Sequence, residues 1–364
     1  MSDAWRFVDA GAVDAPVSMG RMPAMAAGLL NGGPQVLMTG VFGRAHFQIG
    51  WFEDVDATMD LPAARALGMD VFRRPVWGGG TAFYDTNATA LFSFFLPPGG
   101  SLDAALDRFR PVMRGALDSI GLHDAAFEGS SDIRWHGRKL GTVIAQDVVG
   151  VSVVGGFLNL RRPDMEVYAK IARVPPEKFA DKQIKDAVEY VCTPADVRGT
   201  DLTYPELRDA VVAAARDIGG IDASPSPFTP EELSGADSFA QTVRSDEWVR
   251  RISSNRFREE ALTGTRVGFA NVKGRKLVRA GVALDDGGRI VRALMAGDMH
   301  LSPPDVLDRM ASALEGADPG DRADVITRAR VVLDAPDVTQ PDQAAGITAE
   351  DCAEAVLRAA KTAG

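Results

Sequence analysis

The chain has 364 residues (38.8 kDa), of which 25% are charged and 46% hydrophobic, as in globular proteins and unlike disordered or fibrous ones. At this length we expect two domains, or one large domain with an appendage. There are 40 Lys and Arg residues against 50 Asp and Glu residues, which gives a net charge of −10. This charge argues against general nucleic-acid binding. It still allows a local basic pocket that holds one phosphate.

Cysteine, histidine and apolar patterns restrict the chemistry further. Cys192 and Cys352 are too few for a disulfide framework or a zinc spacing. The four histidines have no paired spacing, and we interpret His46 and His300 as ordinary strand or turn residues. The apolar stretch Met22–Leu30 is far shorter than the ~20 residues that cross a bilayer, and no basic leader precedes it. We therefore expect a cytoplasmic protein without a membrane partner.

The first half of the chain is predicted to be a sheet with few helices. Short runs rich in β-branched and aromatic residues predict its strands. These are Gln35–Gly43, Ala45–Trp51, Val71–Arg74, Ala82–Tyr84, Thr89–Leu96, Ser131–His136, Lys139–Gln146 and Val148–Leu160. Thr89–Leu96 is so apolar that both of its faces should be buried. Helices are predicted at Leu61–Leu67 and at Ser101–Ile120, the latter with Ser101 as its N-cap.

The second half changes character twice. A polar stretch, Arg161–Arg198, predicts a long loop or short helices, and Tyr204–Ile218 predicts an amphipathic helix. The Pro- and Ser-rich segment Ala223–Pro230 indicates a linker or boundary. Beyond it, the predicted strands are Arg266–Val272, Lys276–Leu284 and Arg289–Met295, and the predicted helices are Pro304–Leu314 and Ala349–Ala360. We expect two α+β domains, residues 1–255 and residues 256–364.

A glycine-rich loop is the strongest candidate for a binding site. Arg73 and Arg74 precede Gly78–Gly80, and Asp85 follows. Consecutive glycines let the backbone approach a ligand and turn its N–H groups toward an anion, while arginines bind a phosphate or carboxylate through two donors. The alternative is a flexible hairpin with two solvated arginines. The loop has neither the Lys-Ser/Thr ending of a P-loop nor the spacing of a Rossmann fingerprint.

Two further elements point to acyl or phosphoryl chemistry. Lys139 follows the predicted turn His136–Arg138, where a fixed ammonium would neutralise charge that develops on a reacting group. Taken alone, Lys139 fits an ordinary surface lysine after a turn better than a catalytic one. The glycine pair Gly155 and Gly156 lies within a predicted strand, which indicates close approach of a backbone or a ligand, or merely a bulge.

In this order, the three elements resemble the lipoate–protein ligase A family of the biotin/lipoate ligase superfamily. The arginine pair, glycine triplet and aspartate match that family's loop, and Ser131-Asp132 with Lys139-Leu140-Gly141 approximates its lysine hairpin. The resemblance spans roughly residues 30–315, because Ser238-Phe239-Ala240, Trp248 and Gly281–Gly297 are similar to the linker and accessory domain of bacterial lipoate ligases. It implies a large mixed-sheet catalytic domain followed by a small α+β accessory domain.

The resemblance also implies a two-step reaction. A carboxylic acid such as lipoate reacts with ATP and Mg²⁺ to give an acyl-adenylate, and a lysine of a lipoyl carrier domain then accepts the acyl group. Lys139 is implied as the catalytic cation, and no metal ligand from the protein is implied. The implied adenylate-binding residues are Arg73, Arg74, Gly80, Thr81, Ala82, Phe83 and Lys139, and the implied acyl-pocket residues are Trp77, Gly78, Gly79, Gly155 and Gly156.

Several positions depart from the family pattern. Trp77 replaces a serine before the glycine triplet, and Val153-Val154 replaces two histidines before Gly155. Asp186 and Glu189 are acidic where the family tends to have arginines. The acid that is activated is therefore less defined than the fold.

Two alternatives stay open at this point. Related octanoyltransferases use a cysteine thiolate with a lysine and need no ATP, and Cys192 would be that nucleophile; a cysteine in an apolar run is otherwise a small core residue. The accessory domain favours the ligase. The other alternative is a non-catalytic protein that retains only the acyl pocket.

Overall fold

A computed structural model describes residues 4–75, 79–128, 131–174, 187–340 and 346–364. For residues 187 and 188 it describes the backbone alone. Its residues gather into two compact units that are discontinuous along the chain. The first unit contains Met1–His46, Tyr84–Met165 and Gln183–Thr242, and the second contains Phe47–Phe83, Glu166–Lys182 and Val243–Gly364. The expected domain boundary at residue 255 stays a prediction.

A large mixed sheet is the framework of the first unit. Within the described ranges it has eight strands: β1 (Trp5–Val13), β2 (Gln35–Phe42), β6 (Thr89–Leu96), β7 (Ala126–Glu128), β8 (Asp132–Trp135), β9 (Arg138–Val148), β10 (Val151–Asn159) and β11 (Ala223–Pro225). Their spatial order is β11-β1-β2-β6-β10-β9-β8-β7. β1 runs parallel to β2 and β11, whereas the pairs from β2 through β6, β10, β9 and β8 to β7 are antiparallel. The predicted mixed-sheet fold is therefore confirmed.

Helices cover the sheet and complete the core of the first unit. They are α1 (Ala15–Leu30), α4 (Leu102–Ser119), α6 (Ala187–Tyr190), α7 (Pro194–Arg198), α8 (Tyr204–Asp217), α9 (Pro230–Leu233) and α10 (Ala236–Arg244). Ser101 caps α4 as predicted, because its side chain accepts a hydrogen bond from the amide of Ala104 at 3.1 Å. From α4, Phe109 packs against Phe94 of β6 with ring centroids 4.4 Å apart, and every residue of β6 is buried.

The second unit contains two three-stranded sheets in the part of the chain that the structure describes. One has the order β4-β3-β5, formed by β3 (His46–Ile49), β4 (Asp70–Arg73) and β5 (Ala82–Tyr84). The other is antiparallel and consists of β12 (Arg266–Lys273), β13 (Leu277–Leu284) and β14 (Ile290–Gly297). The helices are α2 (Val55–Thr58), α3 (Leu61–Ala66), α5 (Met165–Ile171), α11 (Asp246–Val249), α12 (Ser254–Glu259), α13 (Val306–Leu314), α14 (Arg322–Leu333) and α15 (Ala349–Thr362).

Some predicted elements need correction. Ala223–Pro230 was expected to be a linker, but Ala223–Pro225 forms β11 and pairs with Trp5–Phe7 of β1. A proline is tolerated there because β11 is at the edge of the sheet. One side of an edge strand forms no hydrogen bonds with another strand, so the missing N–H of proline leaves no bond unmade. Strand β1 and helix α14 were not predicted. None of the helices in the described residues has the length and apolar character that crossing a bilayer requires.

The glycine pair of β10 is explained by crowding between strands. An added Cβ at Gly156 would lie 1.8 Å from the carbonyl oxygen of Thr142 on β9. An added Cβ at Gly155 would lie 2.8 Å from the carbonyl oxygen of Phe92 on β6. The close approach predicted for this pair is therefore an approach of neighbouring backbones.

We expect Gly156→Ala to destabilise the protein by about 1–3 kcal/mol, because the methyl group must push two paired strands apart. The matched control is Gly28→Ala on α1, where no atom lies within 4 Å of the new methyl group. That change should be neutral or stabilise by up to about 1 kcal/mol, since alanine favours helix more than glycine does. Urea unfolding followed by circular dichroism compares the two, and equal unfolding curves would contradict the crowding.

Candidate active site

Lys139 lies at the start of β9, just after the tight turn of a hairpin. The turn residues His136 and Gly137 have φ values of 47° and 73°, a left-handed pair that joins β8 to β9 in a short connection. The Nζ atom of Lys139 is 2.7 Å from Oδ1 of Asp132, and 29% of the lysine side chain is exposed. The hairpin therefore presents an ammonium that is fixed by an ion pair and still reaches solvent.

Asp132 is shared between Lys139 and two other groups. Its Oδ2 accepts hydrogen bonds from Nε and Nη2 of Arg134 at 3.1 and 2.7 Å, and from the hydroxyl of Tyr190 at 3.5 Å. Burial alone raises the pKa of the Asp132 carboxyl, but Lys139 and Arg134 outweigh burial and hold that pKa below its usual value. Desolvation, with the nearby Asp132 carboxylate, raises the pKa of Tyr190 to about 12, so its phenol stays protonated.

Strand β10, which contains the glycine pair, also places an aromatic ring next to Lys139. Phe157 follows Gly155 and Gly156 on β10, and its ring centroid is 5.6 Å from Nζ of Lys139, within range of a cation–π contact. The ring of Phe157 also contacts Tyr84 edge-on at 5.2 Å. An aromatic surface therefore adjoins the ammonium. Whether Gly155 and Gly156 line an acyl pocket stays a prediction.

The backbone of Cys192 is hydrogen-bonded to that of Lys139, but the Cys192 thiol is directed into the core. The amide of Cys192 donates to the carbonyl of Lys139 at 2.8 Å. Its side chain, however, is 0% exposed and belongs to the core together with Leu140. Desolvation is the main cause that raises the pKa of the Cys192 thiol to about 11, the opposite of what an activated thiolate needs.

The segment around Cys192 is held by side chains from neighbouring strands. Arg138 donates to the carbonyl oxygens of Glu189 at 2.8 Å and of Val191 at 3.0 Å. Asn159 donates to the carbonyl of Cys192 at 3.3 Å. Glu189, one of the departures from the family pattern, is exposed, and Asp186 lies outside the described residues.

The glycine loop belongs to the second unit and is held by an arginine and a glutamate. Nη2 of Arg74 donates to the carbonyl of Gly80 at 2.8 Å, and the amide of Thr81 donates to Oε1 of Glu53 at 3.3 Å. Gly79 has a φ of 71°, in the left-handed region that favours glycine. The predicted residues Trp77 and Gly78 lie outside the described residues.

Arg73 does not have the surface expected of a phosphate-binding residue. It is 0% exposed, and its guanidinium donates to six backbone carbonyl oxygens at 2.7–3.3 Å: those of Gly50, Trp51, Glu53, Trp248, Val249 and Ile252. Desolvation lowers the pKa of Arg73, and these carbonyls replace the lost water. The interpretation of Arg73 as a phosphate ligand is corrected accordingly: its donors are used inside the protein.

The remaining predicted residues occupy ordinary positions. Ala82 and Phe83 are in β5, where the Phe83 ring stacks on Phe47 with centroids 4.9 Å apart. Asp85 accepts hydrogen bonds from the amides of Thr86 at 2.6 Å and Asp164 at 3.0 Å, which shapes a turn. The structure thus gathers Lys139 and Phe157 in the first unit, and Arg74 and Gly79–Thr81 in the second.

Sequence reasoning missed the residues that fix these groups. Arg134 and Tyr190, which contact Asp132, belong to no recognisable sequence motif. Arg134 could still have been found, because residues two apart on a strand lie on the same face and can form an ion pair. Glu53 beneath the loop gave none, because it is distant in sequence from Thr81. Over the described ranges, no group of three or more His, Cys, Asp and Glu side chains could hold a metal ion.

Comparisons with known proteins bear on the family and the fold of this chain. The family model described as the lipoyl protein ligase A/B catalytic domain matches residues 29–216, which is more than half of the chain. An octanoyltransferase, LipM of Symbiobacterium thermophilum, is 25% identical over 279 residues, which cover 69% of this chain and 100% of that protein.

Two solved structures are similar in fold. P. falciparum LipL1, solved in complex with lipoate, has a TM-score of 0.67 at 11% identity and covers 98% of this chain and 100% of its own. A lipoate–protein ligase A solved with ATP has a TM-score of 0.55 at 17% identity, covering 68% of this chain and 98% of its own. Because the family model matches more than half of the chain, the chain belongs to the lipoyl protein ligase A/B catalytic domain family.

We expect Arg73→Lys to destabilise the protein by at least about 3 kcal/mol, because an ammonium cannot satisfy carbonyls that surround a planar guanidinium. Arg216→Lys on α8, where 66% of the arginine side chain is exposed, should change stability by less than about 0.5 kcal/mol. Thermal and urea unfolding of both variants measure this. An Arg73→Lys protein as stable as the parent would refute the structural role.

Cys192 should resist alkylation in the native protein. Its burial and a pKa of about 11 leave little accessible thiolate at pH 7.5, and labelling should accelerate as pH rises toward that value. A Leu262→Cys variant supplies the control, because Leu262 is 70% exposed. Mass spectrometry after brief iodoacetamide treatment should find label on the introduced cysteine alone, and fast native labelling of Cys192 would contradict the buried thiol.

Proposed function

We propose that this member of the lipoyl protein ligase A/B family is an ATP-dependent acyl–protein ligase. It would activate lipoate, or a similar carboxylic acid, as an acyl-adenylate and transfer the acyl group to a lysine of a lipoyl carrier domain. The observation that carries the proposal is the ammonium of Lys139, fixed 2.7 Å from Asp132 beside an aromatic surface.

A fixed cation suits both steps of this reaction. In the first, a carboxylate oxygen of the acid forms a bond to the α-phosphorus of ATP, and pyrophosphate leaves. In the second, the carrier amine forms an amide with the acyl carbon and loses a proton, and AMP leaves. Negative charge grows on phosphoryl oxygens first and on the carbonyl oxygen second. A preorganised ammonium such as that of Lys139 stabilises both without changing its protonation.

The resemblance to lipoate ligases also assigns a cation of the glycine loop, Arg74, to the adenylate. Arg74 is half-buried, and its Nη2 donates to the carbonyl of Gly80, which holds the guanidinium beside the loop. We assign Arg74 and Gly79–Thr81 to the adenylate, with Arg73 supporting them from within the protein. Ala82 and Phe83, which the resemblance also assigns to the adenylate, follow the loop in β5.

ATP enters the proposal as a substrate, as in the ligase structure solved with ATP. The described residues show no cluster of carboxylates, thiols or imidazoles that fits Mg²⁺, so no residue of this chain is assigned to that ion. It would accompany the phosphates of ATP.

A second candidate function is transfer without ATP through a thioester at Cys192. The similarity to an octanoyltransferase and the hydrogen bond between the backbones of Cys192 and Lys139 support it. The buried thiol with its raised pKa weighs against it. A protein that binds the acid without turnover is the third alternative.

Lys139→Ala should lower the rate of pyrophosphate release by about 100-fold or more, because the cation that stabilises the transition state is lost. Lys361→Ala on α15, an exposed lysine, is the control and should be unaffected. The assay combines the protein, ATP, lipoate and an apo-lipoyl domain, and follows pyrophosphate together with the mass of the carrier.

Cys192→Ala separates the two candidate functions in the same assay. The ligase retains ATP-dependent acylation of the carrier when Cys192 is replaced. The transferase instead acylates the carrier from an octanoyl-carrier donor without ATP, and loses that activity in Cys192→Ala. If neither donor system raises the mass of the carrier while lipoate still binds, the third alternative stands.

A further inference from the structure

His300 lies in a segment that the protein fixes at both ends. The residues on either side, Met299 and Leu301, are 0% and 1% exposed. Before them, the amide of Gly297 donates to the carbonyl of Phe52 at 2.9 Å. After them, the carbonyl of Pro304 accepts from Nε1 of Trp51 at 2.9 Å. The backbone of His300 is therefore held against residues 51–52.

The glycine loop rests on the same short segment. A Cβ on Gly50 would lie 2.0 Å from the carbonyl oxygen of Gly79, so the loop packs directly on the Gly50 backbone. Glu53 accepts the hydrogen bond from the amide of Thr81. Residues 50–53 thus support both the glycine loop and the segment that carries His300.

The two supported elements meet at Gly79. The position that a Cβ would occupy on Gly79 is 2.8 Å from Nη2 of Arg74 and 3.5 Å from Nε2 of His300. A guanidinium nitrogen and an imidazole nitrogen therefore lie on the same side of one glycine, where a side chain would collide with Arg74. Nearby, the hydroxyl of Thr81 is buried and has no hydrogen-bond partner among the described residues.

We infer that His300 is a substrate-binding residue, which donates a hydrogen bond from Nε2 to the anionic group that Arg74 binds at Gly79. This rests on the proposed function, since the anion is the carboxylate of the acid before activation and the phosphoryl group of the acyl-adenylate afterwards. An imidazole with a proton on Nε2 and a guanidinium on the same side of Gly79 supply two donors to the two oxygens of such a group.

The charges around Gly79 suit an anion of this size. Arg74 is the cation directed at the loop, while Arg73 is turned inward to backbone carbonyls. The carboxylate of Glu53 lies at the loop as well, where it accepts the hydrogen bond of the Thr81 amide. An imidazole adds a donor beside Arg74 without adding the desolvation cost of a second permanent cation.

The test is direct binding of lipoate to the full-length protein by titration calorimetry without ATP. His300→Leu removes the donor, and we expect it to weaken binding about tenfold or more, the effect of losing one hydrogen bond to a charged group. His300→Gln keeps an amide N–H close to the position of Nε2 and should bind within about threefold of the parent. His123→Leu, which changes an exposed histidine, is the matched control and should leave binding unchanged.

A second measurement does not depend on His300→Leu. Because the chain has four histidines, their imidazole resonances can be followed one by one by NMR. In protein labelled at its imidazole carbons, lipoate should shift one histidine resonance by NMR, and that resonance should be the one missing from His300→Gln. This keeps the inference testable if His300→Leu fails to fold.

The outcomes separate the inference from the proposed function. Parent-like binding by His300→Leu, or lipoate binding that leaves the His300 resonance unshifted, overturns the role of His300 even if ligation proceeds. Weakened binding by His300→Leu with rescue by His300→Gln supports it even if no ligation occurs. A parent protein that binds neither lipoate nor octanoate overturns both.

Discussion

The buried guanidinium of Arg73 is the interaction on which the second unit depends. A charge taken out of water must be compensated by polar groups, and here the compensation comes from carbonyls of two segments, residues 50–53 and residues 248–252. Trp248 closes the arrangement, because its Nε1 donates back to the carbonyl of Arg73 at 2.9 Å. One side chain therefore fixes two segments that are nearly two hundred residues apart.

That constraint extends to the candidate substrate site. Residues 50–53 accept the hydrogen bonds of Arg73 and also support Gly79, Thr81 and the segment around His300. Because an extended strand alternates its side chains, the arginine that follows Arg73 is directed to the other side, where Arg74 contacts Gly80. The adjacent arginines thus have separate roles: Arg73 binds the backbone of residues 50–53, and Arg74 contacts the glycine loop that packs on those residues.

The parts of this molecule that the sequence predicted are those determined by local patterns. The mostly apolar run of β6, the serine cap of α4 and the periodicity of α8 each depend on neighbours within a few residues, and each was predicted close to its observed bounds. β11 was not, because a three-residue edge strand exists only through its parallel pairing with β1, more than two hundred residues earlier. The inward turn of Arg73 and the position of His300 are likewise set by tertiary contacts.

In the proposed reaction, the arrangement around Asp132 would let Lys139 contact a substrate although it is already paired. Oδ1 of Asp132 holds Lys139, while Oδ2 is held independently by Arg134 and Tyr190. If the ammonium leans toward a substrate oxygen, the carboxylate keeps a cation and a phenol, so the cost of an uncompensated buried charge does not arise. Cys192 is joined to the same strand by a backbone hydrogen bond, but its thiol is buried in the core and donates to the carbonyl of Thr193 at 3.7 Å. The structure therefore fixes the Lys139 ammonium by an ion pair and raises the pKa of the Cys192 thiol, and this difference supports the proposed adenylate route over the thioester.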